Sequence, residues 1–533
     1  MKKKTAFALG VAAGAAGVIY AKKQLGKEEN QRIKYDVQNT AIQGLLKGIS
    51  TVLPDVPRED VVTYGSEGFM EGHSVLIDKA AKGAKWKLGF AKVSVLPEDV
   101  GIGEYYIGGY LSMPPNIAEG VLDDQVFRCI CLDDGSGRGA AVFGVLDCVG
   151  ISGSDVRAIR GLLKGFAAEN NIVSINISAT HSHSCIDTQG LWGNLGKAFK
   201  ENVRGVLKGQ TEGFVSGRNE KFMNELHEKA AETIKTAFYD MKAGTLYRAT
   251  ADASHLVRDK RPPNVTVDEI TTLHFVPDDK EAKGTRVAFL AAHPVSFGDK
   301  NKTVSADFPY YICEGFENMG DNGLYFQGPQ AAVATSRGSV VPAGTPFPEN
   351  IIEYGHAIAR YCAELDKSQY EKVEPILNVR TTEVFLPISN YLFFVLAKLQ
   401  VVNNLAVRVG KKKSDLRFIT EIGYVELGKN MRFALMPGEV MPEIFEGGAY
   451  QADKAYNHYD WNYPALKDVV EGTLFGIGLC NDSIGYVVPD NDFGSVTAPL
   501  HYEESVSTGE KTASTLVKAF INLVENAQEL KKA

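Results

Sequence analysis

Asn171–Ser184 reads NIVSINISATHSHS, and its pattern decides how the rest of the chain is organised. Ile172, Val173, Ile175 and Ile177 form a β-branched apolar run of strand length. Ser178, Ala179 and Thr180 are small and sit where such a strand leaves its sheet, with His181 and His183 just beyond. In an extended backbone this two-residue spacing predicts both imidazoles on one face. Paired imidazoles at the end of a buried strand suit metal binding or acid–base chemistry. The plainer reading is a polar loop with incidental histidines. The chain has only ten histidines, so two within three positions favour chemistry.

Upstream, VFRCICLDD (126–134) and GRGAAVFGVLDCVGIS (137–152) read as two strands joined by the turn Asp134-Gly135-Ser136-Gly137. SGSDVRAIRGLLKGFAAENN (152–171) then predicts a helix capped by Ser154 or Asp155. Strand–helix–strand is a βαβ unit, so part of the sheet is expected to be parallel. His181 and His183 would lie beyond a carboxyl end, where such sheets place their sites.

The same design of apolar run, small residues and a ligand-type side chain recurs downstream. TRVAFLAAHPVSF (285–297) ends in His293, and MRFALMPGEVMPE (431–443) breaks at Pro437-Gly438 before Glu439. Three N/O ligands leave an open position for water, as in hydrolytic zinc sites. Between these runs, 219–242 is helical in pattern, Asp307 and Pro309 open a helix, and 323–339 is a strand followed by a small-residue loop. The apolar stretch 391–408 reads as a buried helix or a lip that touches lipid. LFGIGLCNDSIGYVVP (474–489) carries Tyr486, and HYEES (501–505) carries Tyr502.

With 533 residues, 44% hydrophobic and 23% charged, the chain has material for a sizeable core. A net charge of −8 gives no basic footprint and argues against nucleic acid as a partner. The seven scattered cysteines do not form a disulfide framework, and Cys129 and Cys131 lack the second pair that a structural zinc needs. The amino terminus, MKKK followed by TAFALGVAAGAAGVIYA and Lys22-Lys23, predicts an uncleaved membrane anchor with the body outside the cytoplasm. The alternatives are a secreted protein with a cleaved signal or a cytosolic one. The expected organisation is an anchor over 1–21, a helical lead-in over 22–85 and a hydrolase-type domain over 86–533. Oligomeric state is not legible.

The motifs S-A-T-H-S-H-S (178–184), A-H-P-V-S (292–296), P-G-E (437–439), N-D-S-I-G-Y (481–486) and Y-E (502–503) together resemble the neutral/alkaline (non-lysosomal) ceramidase family. Its members are zinc-dependent amidases that cleave the N-acyl bond of ceramide. The resemblance covers roughly residues 95–515 and implies an α/β fold of mixed sheets flanked by helices. It implies His181, His293, Glu439 and Tyr486 as Zn2+ ligands, His183 as a site histidine for acid–base or oxyanion work, and Tyr502 as the group that polarises the scissile carbonyl. It also implies that Arg258, with Arg261 as the alternative register, holds the substrate's polar group. The expected function is zinc-dependent hydrolysis of the amide of an N-acyl, ceramide-like lipid by metal-activated water. Histidine, carboxylate and phenolate ligands favour zinc and also admit iron or manganese.

Three departures stand out. In the loop Gln327–Thr335, Ala332 replaces the family's acid and Ala334 its polar residue, leaving Thr335 and Ser336 as the nearest hydroxyls. Cys185-Ile186-Asp187-Thr188 replaces the family's Gly-Pro-Gly-Gly. The sequence closes with a helix over 512–530, so the immunoglobulin-like C-terminal domain of longer members is not expected. Two rival readings remain: an amidohydrolase-type barrel, which needs later histidines not found here, and a membrane-tethered, non-catalytic lipid-binding protein on an inactive amidase fold.

Overall fold

The computed structural model describes residues 31–532 apart from 54–57, 60–64, 113, 211–213, 366–368, 411 and 413–414. The anchor read at 1–21 lies outside the described residues, and no helix among them is long and apolar enough to cross a membrane.

Two mixed sheets face each other and helices cover their outer faces. The larger, nine-stranded sheet runs in the order 322–327, 285–290, 269–277, 242–252, 86–94, 126–133, 140–146 and 172–179, with Glu371–Lys372 added beside 242–252. Its interior pairs are antiparallel, whereas the pair at each end is parallel, 285–290 with 322–327 and 140–146 with 172–179. The βαβ unit is therefore present. Its helix begins two or three residues earlier than expected: Ser152, not Ser154 or Asp155, is the N-cap, its hydroxyl accepting from the Asp155 N–H at 3.3 Å. The helix also breaks at Leu163, giving 153–162 and 164–169.

The smaller sheet contains Leu377–Pro387, Ala406–Val409, Leu416–Leu427, Met431–Leu435 and Thr473–Ile477, with Arg58–Glu59 at one edge. Between the sheets lies an apolar layer in which Ile130, Phe143, Phe289 and Phe326 meet Val425, Leu427, Phe433 and Ile477. Helices 153–162 and 220–239 seal one part of the larger sheet's outer face, and helices 307–318 and 349–363 seal another. Helix 512–532 and the apolar helix 391–398 cover the smaller sheet. The stretch 391–408 is thus largely core: Phe393 to Lys398 are buried, and helix 391–398 packs against helix 31–50.

The topology explains how distant histidines meet. The nine-stranded sheet curls until its two edge strands, 172–179 and 322–327, approach each other. Right-handed strand twist accumulated over many strands drives this curl. The chain ends leaving 172–179 and 285–290 therefore converge at one rim.

Candidate metal centre

His181 and His183 do not project from an extended strand. Regular pairing stops at Ala179, and His181 takes a left-handed φ of 66°. The turn is held by Ser182 N–H on Cys148 O at 3.1 Å and His183 N–H on Pro294 O at 3.1 Å. The expected convergence is achieved by this turn and not by strand alternation. His293 is fixed by its N–H on Val333 O at 2.9 Å. Glu439 and Tyr486 stand directly opposite each other in a two-stranded parallel pair, 439–440 with 486–487. Asn481 stitches that segment to the histidine strand: its side-chain oxygen accepts from Ile177 N–H at 3.0 Å, and its own N–H donates to Ile177 O at 2.7 Å.

The side chains meet at a point. His181 Nε2 lies 2.8 Å from His293 Nε2, 3.0 Å from His183 Nε2 and 3.0 Å from Glu439 Oε2. His293 Nε2 is 3.3 Å from the same carboxylate oxygen. The three histidines form a buried group able to hold a metal ion. Their tautomers test that fit. His181 Nδ1 sits 2.7 Å from Val149 O and His293 Nδ1 3.2 Å from Gln330 O. A carbonyl only accepts, so both Nδ1 atoms carry the proton and both Nε2 lone pairs face inward. Burial first, then the neighbouring imidazoles, push His293 down to about 3 and His183 well below its ordinary value, so neither becomes imidazolium near neutral pH. Glu439 Oε2 has no hydrogen-bond donor although it is buried. Inward lone pairs and a buried carboxylate oxygen without a donor are what a cation would satisfy, so the residues present fit a metal ion.

Tyr486 is buried opposite Glu439, and burial raises its phenol well above the usual value, so without a metal it stays protonated. Its ring meets Tyr502 edge-on at 5.9 Å. Tyr502 is 57% exposed and stands at the mouth of a cavity of about 570 Å³ that reaches down to His181, His183, His293 and Glu439.

The structure brings six of the seven expected site residues to this cavity; Arg258 is the exception. Arg258 is exposed on the short strand 257–259, paired opposite Ala334, outside the cavity wall. Arg261 is in the wall but is held by Glu503 at 3.0 Å, Asp492 at 3.1 Å and Glu504 at 3.0 Å. It braces the segment carrying Tyr502 and is not a free anion receptor. Ala332 lies in the wall with φ of 62°, whereas Thr335 and Ser336 do not line it.

Sequence reasoning missed Lys260, Gln189, Trp192 and Tyr110, all in the wall. Tyr110 packs edge-on to His183 with centroids 5.1 Å apart. It comes from the Gly-rich stretch 101–115, where the doublet Gly108-Gly109 was the available signal. Gly109 has φ of 106°, and a Cβ there would fall 2.5 Å from the His183 ring. Gln189 and Trp192 are placed by Asp187, whose buried carboxylate accepts four backbone N–H groups, those of Gln189, Gly190, Trp192 and Gly193, at 2.8 to 3.1 Å.

Fold and site define an α/β protein with a buried histidine–carboxylate donor set at the bottom of a lined cavity. Among solved structures, the chain is similar to the neutral ceramidase from Pseudomonas aeruginosa, at 15% identity and a TM-score of 0.59, over 84% of this chain and 75% of that one. It is equally similar to a ceramidase complexed with C2, at 14% identity and a TM-score of 0.59, over 84% of this chain and 76% of that one. The protein therefore has a neutral-ceramidase-like fold. No family model matches the sequence, and no curated protein matches it.

Proposed function

We propose that the protein is a zinc-dependent hydrolase that cleaves the amide bond of an N-acyl lipid. The observation that carries this reading is the convergence of His181, His183, His293 and Glu439, with the Nε2 lone pairs of His181 and His293 turned inward. The likeness in fold to neutral ceramidase and a cavity with Leu111, Leu191, Phe393 and Val506 in its wall support an acylated lipid as substrate.

On this reading His181, His293, Glu439 and Tyr486 hold the ion, which supplies Lewis acidity for acidifying water and polarising an amide carbonyl. Val149 O and Gln330 O fix the orientation of two imidazoles through their Nδ1 protons. His183, neutral and buried, is placed to take a proton from water and return one to the leaving nitrogen. Tyr502, beside Tyr486 at the mouth, offers an O–H to the developing oxyanion, a type of contact worth about 3–4 kcal/mol. Anchoring at a membrane, with the body outside the cytoplasm, belongs to the same proposal and rests on residues 1–21 alone.

Metal analysis of the full chain beside His181→Ala, followed by hydrolysis of N-acylsphingosine, tests this. Zinc near one per chain, lost in the variant together with amide cleavage, is the expected result. Bound zinc without turnover would favour the lipid-binding reading, to which the Ala332 methyl in the cavity wall already lends some support. No stoichiometric metal overturns both the ligand assignment and the mechanism.

A further inference from the structure

The cavity wall contains two cations, Lys260 and Arg261. Arg261 is committed to three carboxylates. The wall's two acids are also committed, Glu439 to the histidines and Glu503 to Arg261. Lys260 makes no ion pair among the described residues. Its backbone is fixed by its N–H on Ala332 O at 3.1 Å, and Ala332 also lines the cavity. The Lys260 side chain lines the cavity while the residue keeps an exposed face to solvent. Burial and the neighbouring Arg258 already disfavour its charged form.

A ligand that fills this cavity displaces water from the ammonium. A neutral head group would leave a desolvated, unpaired cation, whereas an anionic oxygen would pair with it. That difference discriminates between substrates through a penalty against the wrong one as well as a contact with the right one. We propose that Lys260 selects N-acyl amines whose head group carries an anionic oxygen group, a carboxylate or a phosphate, close to the scissile amide. This inference rests on the amide-hydrolase reading for its meaning, but ligand binding tests it without turnover.

The full chain is offered N-dodecanoylglycine, N-dodecanoylethanolamine and the phosphate ester of the latter, with binding by calorimetry and kcat/KM measured side by side. The anionic compounds should bind better than the neutral one by roughly 10- to 100-fold, the range of a charge-assisted hydrogen bond. The better of the two anions identifies the head group. Lys260→Gln should remove the preference and leave zinc content unchanged, and Lys260→Arg should keep it. Binding preference without hydrolysis of any compound would sink the amidase reading and leave this site standing. Equal binding of neutral and anionic compounds by the wild type overturns the inference. So does a Lys260→Gln variant that weakens all three equally, which would assign the ammonium to the reacting carbonyl.

Discussion

The guanidinium of Arg261 is 4% exposed and shared among Asp492, Glu503 and Glu504, and His501 Nδ1 adds a contact to Glu504 at 2.7 Å. Removing the cation strands three carboxylates, and burial already raises the Glu503 carboxyl. Arg261→Gln should therefore destabilise the protein by about 3–5 kcal/mol, the range for breaking a buried ion pair from one side. A lowered urea midpoint at unchanged m-value is the expected signature. Because the same cluster carries Tyr502, amide cleavage should fall as well, with zinc retained. The resemblance implied Arg258, with Arg261 as the alternative register, and nothing local chose between them. The choice is made by Asp259, whose side chain accepts the Arg261 N–H at 2.9 Å and turns the chain inward after the strand. The histidine pair was legible as a pair, but its left-handed turn depends on Cys148 and Pro294, which no local pattern reveals.

Among elements, the loop 187–193 shows what the departure at Cys185–Thr188 accomplishes. The Asp187 carboxylate gathers four N–H groups and presents Gln189, Leu191 and Trp192 to the cavity. Asp187→Ala should leave metal content intact and raise KM roughly tenfold, as the loss of wall order weakens ligand binding without touching the donor set. Gly109→Ala acts from the other wall. Its Cβ would meet the His183 ring at 2.5 Å and demand a φ unfavourable to alanine. The expected outcome is a fall in kcat larger than any rise in KM, read in steady-state kinetics at saturating zinc. The strands and helices themselves were largely legible, because short apolar runs and strong turn signals mark 126–146 and 172–179 without help from the rest of the chain. The cap at Ser152 was missed because Ser152, Ser154 and Asp155 are all good capping residues, and only the observed turn distinguishes them.

For the whole molecule, pH acts through a buried acid outside the donor set. Asp123 ties its loop to the start of helix 307–318, accepting from Ser305 Oγ at 2.5 Å, Ala306 N–H at 2.7 Å and Tyr311 O–H at 2.9 Å. Burial raises its carboxyl from 3.8 to about 7. A raised folded-state value means that its contribution is fully present below the unfolded value and is lost as pH rises through the folded one. Stability should therefore fall between pH 3.8 and about 7 on this account, by on the order of 4 kcal/mol. Asp123→Asn should flatten that slope in denaturation curves taken across the window. The curl of the larger sheet and the facing of the two sheets were not legible, since both arise from pairings between strands that share no sequence signal. That curl also has a bearing on biosynthesis. The proposed donors come from residues 181, 293, 439 and 486, so a chain still emerging from the ribosome lacks the carboxylate until Glu439 has been made. On the proposed ligand assignment no fragment that ends before Glu439 holds the full donor set, so such a fragment should bind zinc more weakly than the full chain does.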